Sequence, residues 1–125
     1  MIDACDHASV GLMCDLFHIW DDPDTSAIIR ERGDRVFGVQ LSDWRDPQRS
    51  WADRVLPGDG IAPLAELVCA LEQAEYRGDY ELEIMSDDGR YERCLEDSLW
   101  TQDPQAVAVR AFNSLTTLLG EARVA

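Results

Sequence analysis

The feature that most constrains the fold is an alternation of strand-like and helix-like segments along the whole chain. Three short apolar runs, each typical of a buried strand, are followed by polar residues and then by a helical segment. This alternation predicts parallel strands joined by right-handed crossovers, with the helices on one side of the sheet. The predicted strands are 10–15, 34–42 and 80–85, and the predicted helices are 24–32, 61–74 and 103–119.

Residues at the ends of two predicted helices support this assignment. Asp24 or Thr25 is suited to cap the first helix. Asp103 is a favourable N-cap for the last helix, and Pro104 fits its first position. Gly120 is expected to end that helix, because glycine is the usual residue just past a helical C-terminus.

The composition limits the class of protein. With 125 residues, 46% hydrophobic and 29% charged, chain 1–125 has the size and composition of one ordinary domain. Its net charge of −14 argues against binding to nucleic acid or to an anionic membrane surface. Without a run long enough to cross a bilayer or a secretory signal, the protein is expected to be cytoplasmic. The four cysteines lack C-x-x-C spacing and are expected to be reduced.

Candidate chemistry follows the predicted strands, at the edge where parallel sheets carry their functional groups. Asp15 and His18 come directly after the first apolar run and are typical of a metal-ligand or acid/base pair. The sequence has no G-x-G-x-x-G after this strand and no G-x-x-x-x-G-K-[ST] motif. Because both phosphate-binding signatures are absent, no motif supports a nucleotide-binding fold. A barrel segment is therefore favoured over a small open sheet.

Four runs of the sequence resemble the xylose-isomerase-like TIM-barrel superfamily of sugar phosphate isomerases and epimerases. They are 10–20 (VGLMCDLFHIW), 39–45 (VQLSDWR), 53–60 (DRVLPGDG) and 80–84 (YELEI). Their order and spacing make the resemblance specific to the superfamily but not to one substrate. It implies an α/β fold that comprises the last three β/α units of a (β/α)8 TIM barrel, with parallel strands.

The resemblance also implies a divalent metal at the barrel mouth and assigns roles to five residues. Asp15 and Glu83 match two of the family's metal ligands, and Glu83 also matches the residue that moves a proton in the epimerases. Gln40 stands where many epimerases have a ligating histidine. An amide oxygen still suits a hard cation, so Mn²⁺ or Mg²⁺ is expected, with Co²⁺ or Zn²⁺ as alternatives. His18 and Arg54 match substrate contacts.

Simpler interpretations of these residues stay open. Asp15 is also suited to cap a turn, and His18 to be an ordinary loop histidine. Arg54 is preferred to Arg45 as a substrate contact only because the rigid Pro-Gly turn after Arg54 is able to aim it. Three tryptophans that follow strand ends either wall a sugar pocket or simply pack. They are Trp20, Trp44 and Trp51.

The implied function is that of a metal-dependent isomerase, epimerase or dehydratase-like enzyme. Its substrate would be a small polyhydroxy carbonyl compound, a sugar or a sugar phosphate, and Glu83 would transfer a proton through an enediolate. A complete barrel has eight β/α units, and the family's fourth metal ligand, a glutamate, is expected on a strand before Met1. The isolated chain is thus expected to be inactive. The alternative is a non-catalytic remnant, or an assembly partner that closes a barrel with copies of itself or with a complementary half.

Overall fold

The computed structural model describes residues 4, 5 and 7–123 and shows the predicted alternation of strands and helices. Short 3-10 turns at Leu16–His18, Gly33–Arg35 and Leu99–Thr101 lie between the main elements. The strands are β1 (Leu12–Asp15), β2 (Val36–Leu41), β3 (Asp43–Trp44), β4 (Arg54–Val55) and β5 (Tyr80–Leu82), and the helices are α1 (Thr25–Arg32), α2 (Leu64–Gln73) and α3 (Pro104–Ala122).

The central element is a three-stranded parallel sheet in the order β1-β2-β5. In its register, Asp15 lies beside Gln40, and Gln40 lies beside Glu81. Paired positions of a parallel sheet share a face, so the first two of these candidate residues lie on one face near the carboxyl ends of their strands. The predicted α/β arrangement of parallel strands is confirmed.

The other face of the sheet is covered by the helices. Val39 and Leu41, two residues apart on β2, are fully buried there. They belong to one core with side chains from all three helices, and α2 lies between α1 and α3. Each fully buried Val or Leu side chain contributes roughly 1.5–3 kcal/mol. This one-sided core is what fixes the positions of the strand ends.

The ends of α3 were predicted with mixed success. Asp103 is the N-cap, and its carboxylate accepts hydrogen bonds from the backbone N–H groups of Gln105 and Ala106, both at 3.3 Å. Pro104 occupies the first helical position, as predicted. The prediction that Gly120 ends the helix is wrong, because α3 continues to Ala122, which is buried against the core. Burial of that last turn outweighs the weak helical preference of glycine.

Other boundaries also differ from the predictions. The predicted strands 10–15, 34–42 and 80–85 are shorter in the structure, because 3-10 turns or irregular backbone replace their ends. Asp24 occupies the N-cap position of α1 but makes no capping hydrogen bond with its side chain. Thr25 instead donates its hydroxyl to the Ile19 carbonyl at 2.7 Å. Helix 61–74 begins only at Leu64, after a turn.

A short antiparallel hairpin, β3–β4, lies within the segment that was predicted to be a loop. Each of its strands has two residues, too few for a sequence periodicity to reveal. All four cysteines are free, as predicted. No helix in residues 4, 5 and 7–123 combines the length and apolar character that a membrane span requires.

Candidate functional site

Arg54 on β4 is the centre of a cluster of charged side chains at the carboxyl end of the sheet. Only 4% of Arg54 is exposed. Its Nη1 donates to Asp15 Oδ2 at 3.0 Å and to Glu83 Oε2 at 2.7 Å. The same nitrogen lies 3.3 Å from the hydroxyl of Ser42, which is also buried. One guanidinium thus joins residues that follow all three strands of the sheet.

The hairpin and an aromatic floor hold Arg54 in this position. Arg54 pairs with Trp44 in the hairpin, and its backbone N–H donates to the Met85 carbonyl at 2.9 Å. The guanidinium carbon lies 4.1 Å from the centre of the Phe17 ring. Phe17 in turn packs on Trp44, with ring centres 4.9 Å apart. A cation over a buried aromatic face is stabilised electrostatically, so this floor contributes to the position of Arg54.

Asp15 both caps a turn and faces the cluster. Its Oδ1 accepts from the Phe17 N–H at 3.0 Å, which begins the 3-10 turn after β1. Its Oδ2 is 3.0 Å from Arg54 and 3.4 Å from His18 Nε2. Asp15 thus caps a turn, as one of its two interpretations predicted, and its other carboxylate oxygen contacts Arg54 and His18.

His18 lies at the exposed rim of the cluster. Its Nε2 is 3.3 Å from Nη2 of Arg54. The same Nε2 lies 3.4 Å from Asp15 Oδ2, so this ring nitrogen faces both the guanidinium and the carboxylate. His18 is thus joined to the charged groups rather than being an isolated loop residue.

Glu83 and Gln40 complete the set of predicted site residues. Glu83 directly follows β5, its backbone N–H donates to the Leu41 carbonyl at 3.0 Å, and its side chain is 41% exposed. Gln40 is half-buried and lies next to Asp15 in the sheet register. We name Asp15, His18, Arg54 and Glu83 the Arg54 cluster. Gln40 lies beside this cluster.

The oxygen donors at this point have the right chemistry for a hard divalent cation. Asp15 and Glu83 direct one oxygen each at a single positively charged atom, Nη1 of Arg54, and the amide of Gln40 is a further oxygen donor on the neighbouring strand. Across residues 4, 5 and 7–123, however, no three His, Cys, Asp or Glu side chains are grouped to hold a metal ion. In this structure the guanidinium supplies the positive charge that the two carboxylates require.

Sequence reasoning missed a buried carboxylate, Asp43, that shapes the turn after Arg54. Asp43 accepts hydrogen bonds from the backbone N–H groups of Gly58 at 2.9 Å, Gly60 at 3.1 Å and Ala62 at 3.0 Å. Gly58 has a φ of +90°, and any side chain at Gly60 would collide with the Asp43 carboxylate. The sequence signal that could have revealed Asp43 is an acid just after a predicted strand, followed by a glycine-rich turn.

A second charged cluster lies beside the first and was also not predicted. Asp53 is buried and accepts from Nε of Arg45 at 3.0 Å and from Nε of Arg49 at 2.7 Å. Both arginines also contact Asp97, at 3.2 and 2.9 Å. Burial alone would raise the pKa of Asp53, but hydrogen bonds from Arg49 outweigh it and hold that pKa below its usual range. We name these four residues the Asp53 cluster.

Two of the three tryptophans pack rather than stand free. Trp20 and Trp44 are half-buried with ring centres 5.7 Å apart, in contact with Phe17 through Trp44. Trp51 is exposed and contacts Tyr91 edge-on, with ring centres 5.1 Å apart. Arg45 belongs to the Asp53 cluster and not to the Arg54 cluster.

The sequence matches the model of the family described as "Xylose isomerase-like TIM barrel" over residues 1–114. The chain belongs to this family. The predicted family membership and the predicted partial barrel with parallel strands are thereby confirmed. The candidate site residues Asp15, Gln40 and Glu83 lie at the carboxyl ends of β1, β2 and β5, the edge at which TIM barrels carry their active sites.

Comparison with three individual proteins shows how much of each the chain covers. The chain is 31% identical to a 3-dehydroshikimate dehydratase from Pseudomonas putida over 93 residues, which are 70% of this chain and 15% of that protein. It is 25% identical to a xylose isomerase domain protein from Alicyclobacillus acidocaldarius, with a TM-score of 0.74, covering 97% of this chain and 41% of that one. An L-ribulose 3-epimerase shares the fold, with 23% identity, a TM-score of 0.72 and coverage of 98% and 40%. The chain thus spans less than half of each of these proteins.

Proposed function

We propose that this chain carries the substrate-binding and proton-transferring part of a xylose isomerase-like barrel enzyme that acts on a small polyhydroxy carbonyl compound. The observation that carries this proposal is the single buried guanidinium of Arg54 bonded to two carboxylates from different strand ends, Asp15 and Glu83. Such a group is suited to bind oxygen atoms of a sugar or sugar phosphate beside a carboxylate that exchanges protons.

Arg54 has an unused donor for this purpose. Its Nε is buried and makes no hydrogen bond within the described part of the chain. An unsatisfied buried donor of a charged group is costly, so a shift of the side chain on substrate binding that brings an oxygen atom to Nε would add binding energy. His18, largely exposed at the rim, is placed to contact a hydroxyl of the same molecule.

Glu83 is the proposed acid/base group. It is the more exposed of the two carboxylates, and Arg54 holds one of its oxygens at 2.7 Å. A carboxylate fixed in this way is suited to remove a proton from the carbon next to a carbonyl, and to return it at a neighbouring carbon or on the other face. The first product of that step is an enediolate, whose negative charge Arg54 would stabilise.

The donor set at the strand ends also supports a divalent cation, Mn²⁺ or Mg²⁺. Asp15, Glu83 and Gln40 would hold it, since all three offer the hard oxygen atoms that these ions prefer. When bound, such a cation polarises a carbonyl oxygen of the substrate.

A dehydratase is a second candidate within the same chemistry. The similarity of 31% to the Pseudomonas putida protein, which is named a dehydratase, favours it. Elimination of water next to a carbonyl begins with the same proton removal as isomerisation or epimerisation. The role proposed for Glu83 is therefore common to all three reactions.

A deuterium-exchange experiment tests this proposal. In a single-chain chimera, this chain replaces the matched 41% of the Alicyclobacillus protein. Deuterium uptake from D₂O next to the carbonyl is then followed by NMR for a panel of ketoses, their phosphates and 3-dehydroshikimate, with Mn²⁺ added. We expect uptake into at least one compound and a loss of about 100-fold or more in Glu83→Gln.

The matched control for this experiment is Glu81→Gln, on β5 two residues before Glu83 and exposed to solvent. It should leave the rate of deuterium uptake within about threefold of the parent chimera, a change too small to be a lost catalytic group. Equal uptake by the Glu83→Gln variant and the parent would show that Glu83 is not the acid/base group.

A further inference from the structure

We propose that Trp100 is a positioning residue for Glu83 and acts on it through the backbone that follows this acid. The indole of Trp100 holds the main-chain carbonyl of the next residue, so its effect on the reaction is exerted through the direction of the Glu83 side chain and not through contact with the substrate. The inference rests on the proposed function, because it concerns how accurately the acid/base group is presented to the substrate.

Sheet pairing alone does not fix Glu83. β5 ends at Leu82, and the Glu83 N–H donates to the Leu41 carbonyl at 3.0 Å just beyond it. Ile84 and Met85 then continue as irregular backbone outside the strand. The direction of a side chain depends on the backbone that carries it, so the contacts that hold Ile84 and Met85 also set the position of the Glu83 carboxylate.

Two hydrogen bonds hold this irregular segment. The Ile84 carbonyl accepts from the indole N–H of Trp100 at 3.0 Å. The Met85 carbonyl accepts from the backbone N–H of Arg54 at 2.9 Å. Because the second bond joins the segment after Glu83 to the strand that carries the guanidinium, a displaced Ile84 would also disturb the arrangement of Glu83 and Arg54.

Trp100 is itself held well enough to serve as a fixed donor. It lies in the 3-10 turn Leu99–Thr101, whose N-cap Ser98 is buried. The Ser98 hydroxyl donates to the Ser86 carbonyl at 2.6 Å and accepts from the Trp100 backbone N–H at 3.2 Å. The Trp100 ring packs against Tyr91, with ring centres 5.7 Å apart. A half-buried indole held at its backbone and at its ring presents its single donor in one direction.

Loss of this donor should move Glu83 without unfolding its surroundings. Ile84 is half-buried, and its carbonyl would lose the indole and turn towards water. Reaction rates are sensitive to such movements, since a misplacement of about 1 Å costs about 100-fold. A smaller shift of the Glu83 carboxylate should thus lower the rate of proton transfer by about tenfold.

Amide hydrogen exchange in the single-chain chimera tests the structural step. Trp100→Phe keeps an aromatic ring but removes the indole N–H. We expect exchange at the amides of Glu83 and Arg54, measured by NMR, to accelerate by about fivefold or more relative to amides in α2. The matched control is Thr101→Val in the same turn, which removes a hydrogen bond of 2.8 Å to the Ser98 carbonyl and leaves the backbone after Glu83 untouched. It should not accelerate exchange at these two amides.

A double-mutant cycle tests the effect on the reaction. Deuterium uptake is measured at saturating substrate for Trp100→Phe in the parent chimera and in its Glu83→Gln variant. We expect a loss of about tenfold in the parent and of less than about twofold where Glu83 is already replaced, because a positioning residue acts only through the group that it positions. A purely structural role would lower both rates by the same factor. Thr101→Val should leave uptake within about twofold of the parent.

The two measurements separate this inference from the proposed function. Circular dichroism verifies that each variant keeps the parent's secondary structure. The inference is overturned if Trp100→Phe and Thr101→Val exchange the two amides at the same rate, or if Trp100→Phe slows uptake equally with and without Glu83. Faster exchange in a chimera that takes up no deuterium would support the hold of Trp100 on the Glu83 backbone and count against the proposed function alone.

Discussion

The Arg54 cluster and the Asp53 cluster are both built from ion pairs between arginine and carboxylate side chains, but in opposite arrangements. In the first, one buried arginine lies between two carboxylates, and one of its nitrogens lacks a partner in the described residues. In the second, one buried carboxylate lies between two arginines, and a second acid, Asp97, completes the set. The first cluster is left with excess negative charge and an unused donor, whereas the second is balanced and closed.

We propose that this difference separates a ligand-binding site from a cluster that only stabilises the fold. The Asp53 cluster joins the segment before β4 to the segment after β5, since Asp97 lies in the latter. Its charges satisfy one another, so it offers little to a ligand. In the Arg54 cluster, by contrast, the excess negative charge and the unused donor would be satisfied only by a bound ligand. The predictions below test that contrast, beginning with the largest expected effect.

Removing a carboxylate from the Arg54 cluster should abolish metal affinity. In the single-chain chimera, we expect Asp15→Asn and Glu83→Gln each to weaken Mn²⁺ binding by about 100-fold or more, because each removes a charged oxygen donor. Electron paramagnetic resonance of free Mn²⁺ measures the affinity. Asp97→Asn in the other cluster is the control and should change nothing. Unchanged affinity in either of the first two variants removes that residue from the proposed metal site.

Removing the buried acid of the Asp53 cluster should cost stability instead. Asp53 is 2% exposed in its side chain, and its loss leaves Arg45 and Arg49 with only the half-exposed Asp97 as a common partner within the cluster. We expect Asp53→Ala to lower the free energy of unfolding by about 2–4 kcal/mol, measured with urea. Glu83→Gln, measured in parallel, should cost less than about 1 kcal/mol because Glu83 is partly exposed. The reverse order of the two losses would contradict the contrast between the clusters.

Acid should lower the free energy of unfolding through Asp87, a buried carboxylate outside both clusters. Burial raises the pKa of Asp87, but hydrogen bonds from the backbone N–H groups of four residues after it outweigh this and lower the pKa from 3.8 to about 2. A pKa lowered by folding contributes stability above the unfolded value that is lost as pH falls through the folded value. The free energy of unfolding should thus be level above about pH 4 and fall towards about pH 2.

Asp87→Asn tests the cause of this acid sensitivity. Its free energy of unfolding should be lower than that of the parent at neutral pH, and it should fall less steeply between about pH 4 and pH 2. Urea unfolding at several pH values measures both. A variant with the same slope as the parent would show that other acids, such as Asp53, account for the loss.

The smallest effect is expected from the aromatic floor under Arg54. Phe17→Leu keeps an apolar side chain but removes the ring that lies 4.1 Å from the guanidinium carbon. The lost cation–π contact should cost about 1 kcal/mol of stability, and the rate of deuterium uptake in the chimera should fall by about three- to tenfold. A loss of stability without any change in rate would assign Phe17 to the core alone.

Periodicity was sufficient to predict the main elements of the fold. The apolar runs gave β1, β2 and β5, and the spacing in α2 and α3 gave the two long helices, because burial on one face leaves a repeat in the sequence. Tertiary burial is not visible in a local pattern. This is why α3 continues past Gly120 to the buried Ala122.

The candidate site was only partly predictable. Strand ends and the resemblance singled out Asp15, Glu83, His18 and Arg54, and the structure brings these four together. No local pattern indicated that Arg54 bridges the two acids, since this depends on a hairpin of two-residue strands. Asp43 and Asp53 were missed because a buried acid looks like any loop acid until its partners are known. The metal and the substrate stay predictions.

The most direct test of the central claim exchanges one arginine in each cluster for lysine in the chimera. Lysine keeps the charge but loses the planar guanidinium, whose Nη1 contacts both carboxylates in the Arg54 cluster and whose three nitrogens bind Asp53 and Asp97 in the Asp53 cluster. Both deuterium uptake and the free energy of unfolding are measured. The account predicts that Arg54→Lys slows uptake by about 100-fold, and that Arg49→Lys costs about 1–2 kcal/mol of stability with uptake nearly unchanged. Unchanged uptake in Arg54→Lys, or a greater loss of uptake in Arg49→Lys, would contradict it.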